Sequence, residues 1–132
     1  MQSRGLQSFF LLGCLNFMKM IRCYIRNEKL EAVREKLFSL GVPGLSVSEI
    51  KGIGKPLSQL RSNPDPKVSK VPQFHPRTEI TIVLEDNEVD EVIQALIETV
   101  RTGNLGDGKI FVLPVEQAVR IRTGEKDEQA LY

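Results

Sequence analysis

The stretch GNLGDGK, Gly103–Lys109, places three glycines and a terminal lysine within seven residues. Glycines permit positive φ and close backbone approach, so several N–H groups can converge on one anion, and Lys109 adds a point charge. The spacing fits the G-x-x-x-x-G-K pattern of a P-loop, yet Ile110 stands where a Ser or Thr would ligate magnesium. A P-loop also needs its glycines to open a helix, whose N-terminus then faces the phosphate. Here they follow a helical pattern and precede a strand-like run, which argues against a P-loop NTPase. Arg120 and Arg122, two apart on a predicted strand, project from the same side about 7 Å apart and form a second cationic pair. The plain alternative is a C-cap glycine, a surface turn and two exposed arginines. From the residues alone both readings stand.

The whole chain narrows the function classes. Its 132 residues fit one domain with a core of useful size, and 41% hydrophobic with 27% charged residues is ordinary for a globular protein. Eighteen basic against seventeen acidic residues leave +1, which supplies no field for gripping a nucleic-acid backbone. Two cysteines, Cys14 and Cys23, make no disulfide framework, and His75 is the sole histidine, so no metal site is expected. No segment approaches a membrane span. Within MQSRGLQSFFLLGCLNF, the stretch LLGC imitates a lipoprotein signal, but the unbroken apolar run Phe9–Leu12 is too short for one. Residues 1–17 are therefore expected to be an extension outside the fold, a disordered tail or the product of an upstream start. Residues 18–132 form the domain, and the protein is expected to be cytoplasmic.

The elements that must position the glycine run follow from periodicity. Ile21, Cys23 and Ile25 share one face of a first strand. Asn27 is placed to cap a helix over Glu28–Leu40, with Leu30, Val33, Leu37 and Leu40 at helical spacing. Leu45, Val47 and Glu49 alternate with Ser46, Ser48 and Ile50 in a second strand. Gly52–Pro76, with five prolines and no period, reads as a long loop of the sort that carries function. Arg77–Leu84 reads as a strand, and Asp86 or Asn87 caps a helix carrying Val89, Val92, Ile93, Leu96, Ile97 and Val100. Ile110–Val115 reads as a buried strand, and Ala118–Thr123 as a last extended piece. This order predicts an α+β, ferredoxin-like split βαβ fold, its antiparallel sheet covered by helices on one face only. The bare face predicts a homo-oligomer.

The text TGNLGDGKIFV, followed by VRIRTGE at Val119–Glu125, resembles the C-terminal signature of the PII signalling family. MKMI at Met18–Ile21 and VSEIKGIGK at Val47–Lys55 fit the same family, so the resemblance spans Met18 to about Glu128. It implies a homotrimer that binds ATP or ADP between subunits. Gly106, Asp107, Gly108 and Lys109 would wrap the phosphates, with Arg120 and Arg122 reaching them. Gly52, Gly54 and Lys55 would complete the site, with Thr81 and Thr102 also in contact. The long loop would dock on a regulated transporter or enzyme, most simply in nitrogen metabolism, and Arg61, Lys67 and Lys70 are its cations.

The loop departs from the family pattern. Pro56 stands where the family carries a Gln that helps hold magnesium and 2-oxoglutarate, and it offers neither a side-chain ligand nor an N–H. His75 appears where the family has a lysine for the 2-oxoglutarate carboxylate, and the loop contains no tyrosine. Magnesium thus comes only with the nucleotide, no residue is assigned to it, and a weak or absent response to 2-oxoglutarate is expected. With no nucleophile–base pair beside the glycines, an enzyme is not expected. The competing reading is a trimer of the same fold with a degenerate effector site and another role, such as a nitrogenase-region regulator or a regulator of metal or inorganic-carbon transport.

Overall fold

The computed structural model describes residues 17–53 and 73–132. Strand β1 (Met18–Ile25) leads through a single 3-10 turn into helix α1 (Leu30–Ser39), then to β2 (Ser46–Gly52). Strand β3 (His75–Glu85), helix α2 (Val89–Val100), β4 (Lys109–Pro114) and a one-turn helix α3 (Glu128–Leu131) follow. All strand pairs are antiparallel, in the order β2-β3-β1-β4, which is the ferredoxin-like α+β arrangement. The expected extension, residues 1–17, lies outside the described residues apart from Phe17, as does most of the long loop.

The core lies between the sheet and its two helices. Ile21, Cys23 and Ile25 of β1 and Ile80, Ile82 and Leu84 of β3 meet Val33 and Leu37 of α1 and Val92 and Leu96 of α2. Each is almost wholly buried, and such a side chain contributes about 1.5–3 kcal/mol on leaving water. Thr78 is the polar residue inside this layer, and its hydroxyl donates to Asn27 Oδ1 at 2.7 Å. Asn27 therefore ties the end of β1 to β3 instead of capping α1, whose N-terminus has no side-chain cap. Likewise α2 starts at Val89 after a 3-10 turn, and Asp86 pairs with Lys19 Nζ at 3.0 Å instead of capping it.

Three other expectations change. The strand expected to be buried over Ile110–Val115 is β4, an edge strand whose residues are mostly exposed. The loop is shorter than Gly52–Pro76, because His75 pairs with Gly52 and Pro76 with Lys51. Proline is tolerated there because β1 begins pairing with β3 only at Thr78, so the missing N–H breaks no bond on that side. The extended piece Ala118–Thr123 is not a strand. A single bridge joins Val119 to Lys126, and the chain between them turns, with Gly124 at φ +74° and its N–H donating to Arg120 O. The sheet face away from the helices carries Met20, Arg22 and Tyr24 beside Thr81, Val83, Phe111 and Leu113. Among the described residues it stands open, with Phe111 half exposed and its ring edge-on to Tyr24 at 5.9 Å.

Candidate functional site

The glycine run forms a braced turn between α2 and β4. Arg101 leaves α2 in extended conformation, and Gly103, Gly106 and Gly108 all have positive φ. At Gly108 (φ +112°) glycine is required twice over: a Cβ there would lie 1.8 Å from the Tyr24 carbonyl oxygen. The turn is thereby pressed against the end of β1, and Lys109 becomes the first residue of β4, opposite Tyr24.

Asp107 organises the turn from inside. One carboxylate oxygen accepts from the Thr102 and Gly103 amides at 2.8 and 2.9 Å, and the other accepts from the Thr102 hydroxyl and from Arg26 Nη1 at 2.8 Å. Arg26 Nη2 also donates to Leu105 O at 2.7 Å, so one guanidinium from beyond β1 spans the turn. The Thr102 hydroxyl and amide, then the Gly103 amide and the Arg26 charge, hold the Asp107 carboxyl down at about 2 against an ordinary 3.8. Asp107 is thus an internal brace already using the amides of Thr102 and Gly103. Among the described residues no hydrogen-bond acceptor is found for the amides of Leu105, Gly106 and Gly108, which are the ones left for an anion.

Arg77 approaches from β3. A methyl group built on Gly106 would lie 3.2 Å from Arg26 Nη2 and 3.3 Å from Arg77 Nη2, so two cations flank that one residue. Gly52 touches the same arginine: its own Cβ would meet Arg77 Cγ at 3.6 Å. Beside the turn, a cleft of about 380 Å³ runs between α2 and β4, walled by Ile93, Ile97, Ile110 and Val112, with Asp107 and Lys109 at its mouth.

The predicted residues divide accordingly. Thr102, Gly106, Asp107, Gly108 and Lys109 come together in the turn, and Gly52 borders it through Arg77. Thr81 lies on the open sheet face opposite Arg22. His75, expected in the place of the family's effector lysine, sits opposite Gly52 at the start of β3, and Arg77 is the β3 cation at the turn. Arg120 and Arg122 do not form the predicted strand pair. Arg120 is bound to Glu125 at 2.7 Å and to Gln129 O at 2.9 Å, while Arg122 is exposed in the following turn. Gly54, Lys55, Pro56, Arg61, Lys67 and Lys70 lie outside the described residues. Nothing in the sequence singled out Arg26 and Arg77, which stand some 80 and 30 residues before the turn. The signal available was that each directly abuts a strand pattern whose neighbours lead to the glycines. Among the described residues no group of three or more His, Cys, Asp or Glu could hold a metal, and no helix is long and apolar enough to cross a membrane.

Comparison with known proteins matches this sequence and fold. The family model described as nitrogen regulatory protein P-II matches residues 18–125. The nitrogen regulatory protein P-II of Microchaete diplosiphon is 42% identical over 114 residues, covering 86% of this chain and 100% of its own length. Escherichia coli (strain K12) nitrogen regulatory protein GlnK is 42% identical over 116 residues with the same coverage. The crystal structure of Arabidopsis thaliana PII bound to citrate superposes with a TM-score of 0.70 at 32% identity, over 86% of this chain and 92% of that one.

Proposed function

The chain belongs to the nitrogen regulatory protein P-II family, and from that premise we propose that it senses ATP or ADP at the Gly103–Lys109 turn and reports the bound state to a partner protein. The family's role is regulatory, not catalytic. The observation that carries the nucleotide reading is the braced turn. Asp107 and Arg26 hold it in shape before any ligand arrives, with Lys109 at its end and the amides of Leu105, Gly106 and Gly108 unused. Preorganised N–H groups and a fixed cation are what a phosphate chain needs, because little ordering cost remains on binding.

Two finer readings belong to the same proposal. Three copies would pack through the open sheet face, burying Phe111, Leu113 and Met20, which no element of one chain covers among the described residues. A carboxylate effector would sit against Gly106 between Arg26 and Arg77. Paired guanidiniums suit a carboxylate, and the Arabidopsis thaliana protein is described as bound to one, citrate. Partner control would pass through the loop expected over residues 52–76, which carries Arg61, Lys67 and Lys70.

Calorimetry with ATP and with ADP tests the central claim. Saturable binding without phosphate release is expected, and lysate capture of a partner should differ between the two nucleotides. A wild-type protein that binds neither refutes it, and a monomer by light scattering refutes the trimer separately.

A further inference from the structure

The C-terminal segment after Thr123 ends on a contact that the nucleotide reading does not use. Val119 bridges Lys126, the Arg120 amide donates to Glu125 O, and the Asp127 amide donates to Ala118 O, each amide contact at 2.8 Å. The chain then reverses at Asp127, the one non-glycine residue with positive φ (57°) among those described. A single helical turn, Glu128–Leu131, follows, and the Tyr132 phenol donates to Glu88 Oε1 at 3.0 Å, just before α2. Loss of water and the neighbouring Glu88 carboxylate push the phenol up to about 12, so it remains a donor across the physiological range.

This segment holds Arg120 at both terminal nitrogens. Nη1 pairs with Glu125 Oε1 at 2.7 Å and Nη2 donates to Gln129 O at 2.9 Å. Glu125 is in turn fixed by the Thr123 hydroxyl at 2.8 Å. An anion that recruits Arg120 must first displace these partners. The segment itself buries no side chain in α3, so it is held by a few polar contacts and belongs to the low-stability end of the molecule.

We propose that residues 125–132 are an internal competitor for Arg120, anchored by Tyr132 on Glu88 and released when a nucleotide phosphate takes the arginine. This rests on the nucleotide reading above and on the phosphate contact that the family resemblance implies for Arg120. By linkage, whatever loosens the anchor tightens nucleotide binding, and nucleotide in turn loosens the anchor.

Tyr132→Phe removes the anchoring hydroxyl and leaves the ring. In the full chain it is expected to tighten ATP binding by roughly two- to tenfold, the worth of one hydrogen bond. ATP should also raise hydrogen exchange in residues 128–132 of the wild type. Labelling of Arg120 by phenylglyoxal, read by mass spectrometry without nucleotide, should rise severalfold in Tyr132→Phe and in Glu88→Ala. Unchanged labelling in both variants overturns the restraint, whatever the protein binds. Wild type that binds ATP while Tyr132→Phe binds it equally or less tightly overturns the competition and leaves the nucleotide reading standing. Failure of wild type to bind any nucleotide overturns the reading and the competition together.

Discussion

Two regions of the molecule each hold an arginine with a carboxylate, and they do so in opposite ways. In the glycine turn, Arg26 reaches Asp107 across 81 positions of sequence, and both side chains are only 22% exposed. In the C-terminal segment, Arg120 reaches Glu125 five residues on, and the rest of its hold is one backbone carbonyl in a four-residue helix. The first pair joins two elements of the sheet and braces a binding surface. The second closes a local turn and keeps a cation occupied. A guanidinium–carboxylate contact is therefore no guide to function by itself. What its two ends are attached to decides whether it builds a site or restrains one.

The widest gap should open between two glycines. Gly108 and Gly124 both have positive φ, but a Cβ at Gly108 strikes the Tyr24 carbonyl, while one at Gly124 meets nothing within 4 Å. Gly108→Ala must push the turn off β1, at a cost of about 3–5 kcal/mol, whereas Gly124→Ala bears only the left-handed penalty of about 1–2 kcal/mol. Urea denaturation midpoints measure both. Equal losses would show that the turn is not pressed on β1 as described.

Affinity should separate the cations next. On the proposed reading, Lys109→Ala would remove a charge-assisted phosphate contact and is expected to weaken ATP binding about ten- to hundredfold, or roughly 1.5–3 kcal/mol. Arg120→Ala should cost less, since Arg120 must first leave Glu125 and Gln129 O. Isothermal titration of the two variants ranks them, and the reverse order would mean that Arg120 is the freer group.

A smaller effect is expected at Arg26, which braces the turn but is assigned no phosphate contact. Arg26→Ala should weaken ATP binding about three- to tenfold through the loosened turn, and Arg26→Lys should recover part of it by keeping the charge near Asp107. The same variant tests the effector. If the Arg26–Arg77 pair holds a carboxylate, both Arg26→Ala and Arg77→Ala should abolish any citrate binding seen in the wild type, while His75→Ala leaves it unchanged.

What was legible in the sequence follows the same division between local and distant contacts. The periods of Ile21, Cys23 and Ile25, and of Val89, Val92 and Leu96, report a buried face directly, so the strands and helices of the core were readable. The glycines of 103–108 announce positive φ wherever they occur, so the turn was readable too. Its brace was not, because nothing near Asp107 in sequence names Arg26. Local rules failed where a distant partner outbid them: Asn27 caps nothing because its Oδ1 accepts from the Thr78 hydroxyl, and Pro76 joins β3 because β1 has already ended. Arg120 and Arg122 alternate with apolar residues like a strand, but Gly124 turns the chain before a ladder can form.

The smallest expected effect is a pH dependence confined to the turn. Asp107 sits at about 2 in the folded protein against an ordinary 3.8, so its depressed value marks a contact made by the charged form. The sign follows: the contribution is fully present above the ordinary value and is lost as pH falls through about 2. Between those limits, protonation should release the amides of Thr102 and Gly103 while the core, built from apolar side chains, keeps its own stability. Amide resonances of these two residues should therefore titrate with a midpoint near 2, and in Asp107→Asn that transition should vanish. Arg26→Ala should move the midpoint up only modestly, because the Thr102 hydroxyl and amide outweigh the guanidinium in holding the carboxylate. A wild-type midpoint at the ordinary value would mean that Asp107 does not brace the turn, and the contrast between the two arginines would lose its first member.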